Sequence, residues 1–292
     1  MYEHNFNNII KKLDMAGHTL QMDGNVTGIK MAQRALKECR PGGKALIFQR
    51  KIPIILNLFA SETRIEVAMK GPVSKFNPER ELHDLQFMSP DKYKDINLSD
   101  LPILPHHEED VSGSINTGCV ISMADGIHNC GMYRIQPLND SEAIVHCYPE
   151  SGLACQLEKG EDIPVTVAVG TSFQLILTAV SKLPADADEL KIADSITAKG
   201  LKYIKTDRHP VPYGTQIIIH GVVSATEKRT EGPFLIHTGE YSKPEDYPLL
   251  KIESVKMIEN GYYHALVTGP DYCEGRTLLE AAEKFTSGLK EE

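Results

Sequence analysis

Two short segments, far apart in the chain, carry the side chains best suited to chemistry. One is Asn129-Cys130-Gly131-Met132-Tyr133-Arg134 and the other is Glu231-Gly232-Pro233-Phe234. Together they supply an amide oxygen, a fixed cation and a carboxylate from strand-like surroundings. A buried Arg needs an anionic partner, and a Glu that ends a strand at a Gly-Pro turn can point into a cleft. A guanidinium beside a carboxylate can grip an organic acid with direction as well as charge. The same two side chains can also be a structural ion pair inside a barrel.

The elements that must position them are legible as periodicities. Residues 5–16 and 26–39 show helical spacing, and Arg40-Pro41-Gly42-Gly43 stops the second. Runs 44–49 and 54–58 read as buried strands, and 62–69 as a short helix. Residues 74–114 hold four prolines, many charges and few apolar clusters, so we expect a linker or surface excursion there. From 115 onward the pattern is mostly β, with strands expected at 115–122, 131–137, 143–148, 163–169, 203–206, 216–225, 249–258 and 262–268. Asn139-Asp140 and Asn260-Gly261 are hairpin-type turns. Helices are expected at 173–180, 188–198 and 276–287. The fold class this implies is α+β: a small N-terminal α/β unit (1–73), the excursion (74–114), a β-barrel domain (115–275) and a C-terminal helix (276–292).

Composition excludes some functions. Of the 292 residues 41% are apolar, enough for a large core, and the net charge is −9, from 40 acids against 31 bases. An acidic chain without basic runs is no general nucleic-acid binder. The amphipathic N-terminus is not a signal peptide, and no apolar run approaches the roughly 20 residues that span a bilayer. The six cysteines form no CxxC pair or zinc spacing, so a reducing cytoplasm without disulfides is expected. His106-His107-Glu108-Glu109-Asp110 reads as a solvated charge run on a loop. Nothing beside Cys130 would lower its pKa as a nucleophile requires. No Ser-His-Asp order, Walker motif or GxGxxG is present.

The order of segments resembles the UbiD-type decarboxylases, which use prenylated FMN. The resemblance runs through "LDMAGHTLQMD", "GGKALIF", "NCGMYRIQPL", "IPVTVAVG", "KLPADADEL", "HPVPYGTQIIIHG" and "EGPFLIHTGEY", over nearly the whole chain. It implies a split β-barrel related to FMN-binding barrels, after an N-terminal α/β unit. It implies a (de)carboxylase of an unsaturated or aromatic carboxylic acid. Arg134 matches the Arg that positions the substrate carboxylate, and Glu231 the first of two acids. Gly131, Met132, Thr171 and Ser181-Lys182-Leu183-Pro184 fall where the flavin is contacted. Thr171 or Ser172 could also serve as a helix cap exposing amides to a phosphate, and Lys182 either meets the phosphate or faces solvent. Asn129, Glu150 and Glu189 match the ligands of a divalent ion, Mn²⁺ or Mg²⁺, with a monovalent cation as an optional addition.

The resemblance has three departures. Ile236 stands at the second acid, and a hydrocarbon cannot shuttle a proton; alternation would aim the neighbouring His237 at the opposite face. Glu150 stands where the family has a His, leaving excess negative charge around one ion; His146 nearby would need a strand shift to substitute, and Glu150 also reads as a solvated turn acid. The family's C-terminal domain has no counterpart before Glu292. A partner subunit or self-association would then complete the pocket, or it stays open. The alternative to the enzyme is a non-catalytic or subunit-type relative that binds flavin or another phosphate ligand.

Overall fold

The computed structural model describes residues 5–73, 82–196 and 200–287. The first residues of the expected excursion (74–81), the last residues of the helix expected at 188–198 and the tail 288–292 lie outside the described residues.

The N-terminal unit begins with α1 (Phe6–Met15), capped by the Asn5 side chain, which accepts from the Asn7 backbone N–H. Its apolar stripe, Phe6, Ile9, Ile10 and Leu13, is buried, as helical spacing requires. Then follow β1 (Thr19–Asp23), α2 (Gly28–Lys37), β2 (Ala45–Gln49), β3 (Ile54–Leu56) and α3 (Glu62–Met69). Strand β1 was not expected. Only Thr19 of its five residues is buried, so it carries no apolar run. It is recruited by its parallel ladder with β2.

The stretch 82–114 contributes β4 (Gln86–Phe87), β5 (Tyr93–Ile96) and a single 3-10 turn. Eight further strands follow: β6 (Ile115–Ala124), β7 (Ile127–Pro137), β8 (Glu142–His146), β9 (Ile163–Val169), β10 (Lys202–Ile204), β11 (Val211–Pro212), β12 (Ile217–Glu231) and β13 (Glu245–Ile258). Helices α4 (Gly152–Leu157), α5 (Phe173–Val180) and α6 (Glu189–Ser195) are set among them, and β14 (Tyr263–His264) and α7 (Cys273–Ser287) close the described chain.

Six of these strands run β12-β9-β6-β7-β8-β13, all antiparallel, and β13 pairs back onto β12. The sheet therefore closes into a barrel and leaves no free edge along this circuit. Strand β5 adds to the far end of β13, so the 74–114 segment supplies a strand to this sheet. Strand β14 instead joins β3 in the N-terminal sheet, of order β1-β2-β3-β14. The mixed α/β architecture with an N-terminal sheet and an antiparallel barrel is the one the sequence implies.

Alternation divides each barrel strand between two cores. Val120, Ile135, Val145, Val167, Ile219 and Met257, one from each of six strands, converge in one cluster, the barrel interior. Cys119, Ile121, Cys130 and Ala168 point the other way. They pack with Phe6 of α1, Phe173 and Leu177 of α5, Leu190 of α6 and Phe285 of α7. The barrel is thus filled within and shielded by helices on one flank.

One expectation is corrected here. Cys39 and Cys273 are joined as a disulfide, with a Cα–Cα distance of 5.3 Å, tying the end of α2 to the start of α7. They are 234 residues apart, so no local spacing announces the pair. Among the described residues no helix is long and apolar enough to cross a membrane.

Candidate functional site

Arg134 lies on β7 four residues after Cys130, and so on the barrel's outer, helix-shielded face. Its cross-strand neighbour on β8 is His146. Glu231 is the last residue of β12. Gly232 follows with φ +87°, a left-handed conformation that glycine adopts without strain, and its N–H donates to Gln136 Oε1 on β7 at 3.0 Å. The carboxylate is thereby swung onto the guanidinium. Arg134 Nε donates to Glu231 Oε1 at 2.5 Å and Nη2 to Oε2 at 2.9 Å, a bidentate pair. Glu231 is 1% exposed and Arg134 13%. Nη1 of Arg134 donates to no described residue.

The surroundings fix this pair. Phe234 is buried with its ring centroid 4.8 Å from Arg134 Cζ, a cation–π contact. The Phe234 N–H donates to Ser242 Oγ and the Leu235 N–H to Asp110 Oδ1, at 3.0 and 3.1 Å. Asp110 also accepts from the N–H groups of His106 and His107. The charged run at 106–110 therefore splints the Glu231 loop. His146 Nδ1 is 2.9 Å from Arg134 Nη2 and 3.2 Å from Glu231 Oε2, and its ring stacks on Tyr247 with centroids 4.1 Å apart. Burial alone would push the Glu231 carboxyl up. Hydrogen bonds from His146 and Arg134 outweigh it and hold the group below the usual carboxylate range. Ile236 is half-buried and His237 is exposed.

The expected metal ligands divide. Glu189, at the first position of α6, accepts a hydrogen bond from the Cys130 backbone N–H. Asn129, next to it, donates from Nδ2 to Ser122 Oγ at 3.3 Å, and its Oδ1 is packed against Gly152, where a Cβ would sit only 1.7 Å away. Burial, with Asp188 adjacent, pushes the Glu189 carboxyl up to about 7. No contact joins the two: the Asn129 amide oxygen faces Gly152 and the Glu189 carboxyl takes the Cys130 N–H. Glu150 does not join them. It is exposed on the turn before α4, and no described side chain holds it. Among the described residues no group of three His, Cys, Asp or Glu side chains could hold a metal. The donor set does not enclose a cation, and no step below depends on one.

Thr171 is also corrected. It is fully buried and its hydroxyl bonds Thr215 Oγ1 at 2.9 Å; of the two expected caps it is Ser172 that caps α5. The first turn of α5, Phe173 and Gln174, is fully buried, so this helix start is closed to a phosphate. The other expected flavin contacts lie on β7 and after α5, which packs on β7. Met132 and Leu183 are half-buried against the same core, Lys182 and Pro184 are exposed, and the Ser181 hydroxyl is spent on Leu177 O. Gly131 leaves room for the Tyr133 ring, which a Cβ would strike at 2.4 Å. Met132 and Leu183 each leave apolar surface half-exposed, and Lys182 pairs with no described acid. Cys130 is no nucleophile: burial, then the neighbouring Cys119, pushes its thiol well up.

Sequence reasoning missed His128, Asp188 and Tyr247, gave Phe234 no role of its own, and read His146 only as a substitute metal ligand. Asp188 caps α6 and holds His128 Nδ1 at 3.1 Å; burial opposes its charge, but the His128 hydrogen bond leads the contacts that hold its carboxyl below the usual range. For His146 a signal existed. Pro137 pairs with Ala143 across the Asn139-Asp140 turn, and three residues further out on each strand Arg134 meets His146.

Comparison with known proteins follows the same lines. Residues 82–271 match the UbiD family, described as 3-octaprenyl-4-hydroxybenzoate carboxy-lyase Rift-related domain. An uncharacterized protein of Archaeoglobus fulgidus is 29% identical, over 94% of this chain and 66% of its own. Another, of Helicobacter pylori, is 26% identical over 84% of this chain and 48% of its own. The chain thus spans between about half and two thirds of these relatives' length. The UbiD-class enzyme HmfF from Pelotomaculum thermopropionicum, solved with FMN, superposes with a TM-score of 0.84 at 21% identity, covering 95% of this chain and 67% of that one. Vanillic acid decarboxylase from Sedimentibacter hydroxybenzoicus (ShVdcCD, open form) gives 0.85 at 18%, covering 94% and 66%. The barrel segments, the bidentate pair at their rim and a family match across most of the chain converge on one conclusion: this chain belongs to the UbiD family.

Proposed function

We propose that the chain carries the substrate grip and flavin shelf of a UbiD-type carboxy-lyase, acting on an unsaturated or aromatic carboxylic acid. The observation that carries this reading is the Arg134–Glu231 pair, bidentate and nearly dry, with one guanidinium nitrogen uncommitted. Glu231 holds the guanidinium plane through Nε and Nη2. Nη1 is left to meet an incoming carboxylate. Phe234 beneath the guanidinium keeps water from that side, which strengthens the contact.

Loss of CO₂ leaves an electron pair on carbon that no protein side chain delocalises, and a prenylated FMN, when bound, supplies that sink. Met132, Leu183 and Lys182 are the residues that would hold it; the room at Gly131 is taken by the Tyr133 ring. Two solved relatives support the cofactor: HmfF is described in complex with FMN, and an evolved dimeric form of it with prFMN.

A second reading is favoured by Ile236 and Glu150. Hydrocarbon at 236 and a solvent-facing acid at 150 suit a subunit-type relative that binds flavin and completes a larger assembly. The vanillic acid decarboxylase ShVdcCD, which includes a separate ShVdcD chain, shows that a member can work with a partner. The test is the absorbance of purified chain produced with and without a flavin-prenylating enzyme, followed by CO₂ release from a panel of cinnamic- and benzoic-type acids. Bound flavin with CO₂ release supports the enzyme. Bound flavin with no release from any acid supports the subunit. A chain that stays colourless with added prenylated FMN and Mn²⁺ overturns the flavin shelf.

A further inference from the structure

We propose that His146 is a positioning residue that carries a proton between solvent and Glu231, so that the pair can accept a second carboxylate. Its purpose rests on the decarboxylase reading above; its chemistry rests on geometry alone. His146 Nδ1 lies 2.9 Å from Arg134 Nη2, which can only donate, and 3.2 Å from Glu231 Oε2, which accepts. A ring nitrogen holds either a proton or a lone pair. With a lone pair it takes the bond from Arg134 and stands beside a carboxylate it cannot satisfy. With a proton it bonds Glu231 and faces a donor. Nδ1 is therefore a two-position switch, and its setting depends on the charge of its neighbours.

The other groups around the ring leave that switch to Arg134 and Glu231. From β13, Tyr247 stacks flat on the imidazole, and its hydroxyl is turned away to donate to Glu245 Oε2 at 3.1 Å. Burial and that bond push the Tyr247 phenol up to about 12, so it stays neutral. From the residues after β8, Tyr148 meets the ring edge-on at 5.2 Å and is mostly exposed. The stacked ring cannot tilt away from the pair. Yet the imidazole is 13% exposed while Glu231 is 1% exposed, so the imidazole is the better path for a proton to reach that carboxylate.

The need for a proton follows from charge. Arg134 and Glu231 cancel. A substrate carboxylate at Arg134 leaves one uncompensated negative charge in a nearly dry place, which is costly. A proton taken up at His146 Nε2 makes the imidazolium, whose Nδ1 proton then passes to Glu231 Oε2. The imidazole is left neutral with its proton on Nε2, and its Nδ1 lone pair accepts from Arg134 Nη2. One proton enters, one carboxylate is neutralised, and the guanidinium is freed for the substrate. On loss of CO₂ the protonated Glu231 is the nearest buried acid to the grip.

The test uses the full chain without flavin, labelled with ¹⁵N-histidine. His146 signals are assigned by His146→Gln, and the other histidines report that the fold is intact. In the wild type at neutral pH the His146 Nδ1 signal is expected to lie between the protonated and bare positions. Glu231→Gln is expected to move it to the bare position, bonded to Arg134. Arg134→Gln is expected to move it the opposite way, to the protonated position. If one variant fails to fold, the other still reads a displacement of fixed direction. Identical His146 ring signals in wild type and folded variant overturn the proposal. With flavin-loaded chain, His146→Gln is expected to raise KM and so lower kcat/KM about 100-fold. An inert chain that still shows the switch contradicts the decarboxylase reading alone, whereas an active chain with a static His146 overturns the relay alone.

Discussion

Arg134→Gln removes the guanidinium and leaves Glu231, 1% exposed, with only His146 as partner. Breaking a buried ion pair from one side costs about 3–5 kcal/mol, because the remaining charge is neither hydrated nor paired. The His146 bond offsets part of this, so about 3 kcal/mol of destabilisation is expected at pH 7. For a chain of 292 residues that corresponds to a fall in Tm of about 5 °C. The double variant Arg134→Met/Glu231→Leu removes both charges and keeps the volume. It is expected to lie within about 1 kcal/mol of the wild type, so the two sites couple strongly. The pH dependence has a fixed sign. The Glu231 carboxyl is held below its ordinary value of 4.5. Its contribution is therefore present in full above that value and is lost as pH falls through the lower, folded value. Urea unfolding of wild type and variant from pH 3 to pH 8 measures this. The difference should be constant at neutral pH and shrink under acid. A difference below about 1 kcal/mol at pH 7, or additive single and double variants, would refute the buried pair.

Three further outcomes are expected. Glu189, pushed up to about 7 from 4.5, binds its proton more tightly folded than unfolded, so stability should fall as pH rises between those values and level off above. Glu189→Gln should flatten that slope and stabilise the chain by as much as about 3 kcal/mol at pH 8, read by urea unfolding; an unchanged slope would show that Glu189 is not buried against Cys130. Reducing the Cys39–Cys273 bond, which closes a loop of 234 residues, should cost about 2–5 kcal/mol, read as a lower Tm with reductant. No change, with both thiols free by mass spectrometry before reduction, would show that the bond does not form. Ile236→Glu places an acid on the Glu231 loop and should raise CO₂ release by the flavin-loaded chain at least tenfold; no gain in protein that holds its flavin counts against position 236 as the missing proton donor.

The barrel strands were legible because each alternates between two buried faces, and the β6–β9 boundaries differ from the expected ones by a few residues at most. Helix α5 was found to the residue, since its apolar run ends at Ser181. Strand β1 was not legible, because its ladder with β2 rather than its side chains makes it a strand. The second half of β12 was missed as well, since residues 226–230 are polar and mostly exposed and follow a bulge after Val223. The Arg134–Glu231 contact was anticipated from residue type, but not its neighbours. His146 and Tyr247 join through cross-strand register, which a single strand's composition does not reveal. The start of α5 misled because capped helix amides after Gly170-Thr171-Ser172 read as exposed to an anion, whereas the turn is packed shut. Glu150 misled because position along the chain says nothing of whether a turn faces its neighbours or the solvent.

The central claim is that Arg134, oriented by Glu231, grips a carboxylate beside a bound flavin. The most direct measurement is binding and turnover of one cinnamic- or benzoic-type acid by prenylated-FMN-loaded chain, compared with Arg134→Lys, which keeps the charge and loses the bidentate geometry. The account predicts bound flavin in both proteins, CO₂ release in the first, and a loss of at least about 100-fold in kcat/KM in the second. Equal turnover by the two proteins would contradict it.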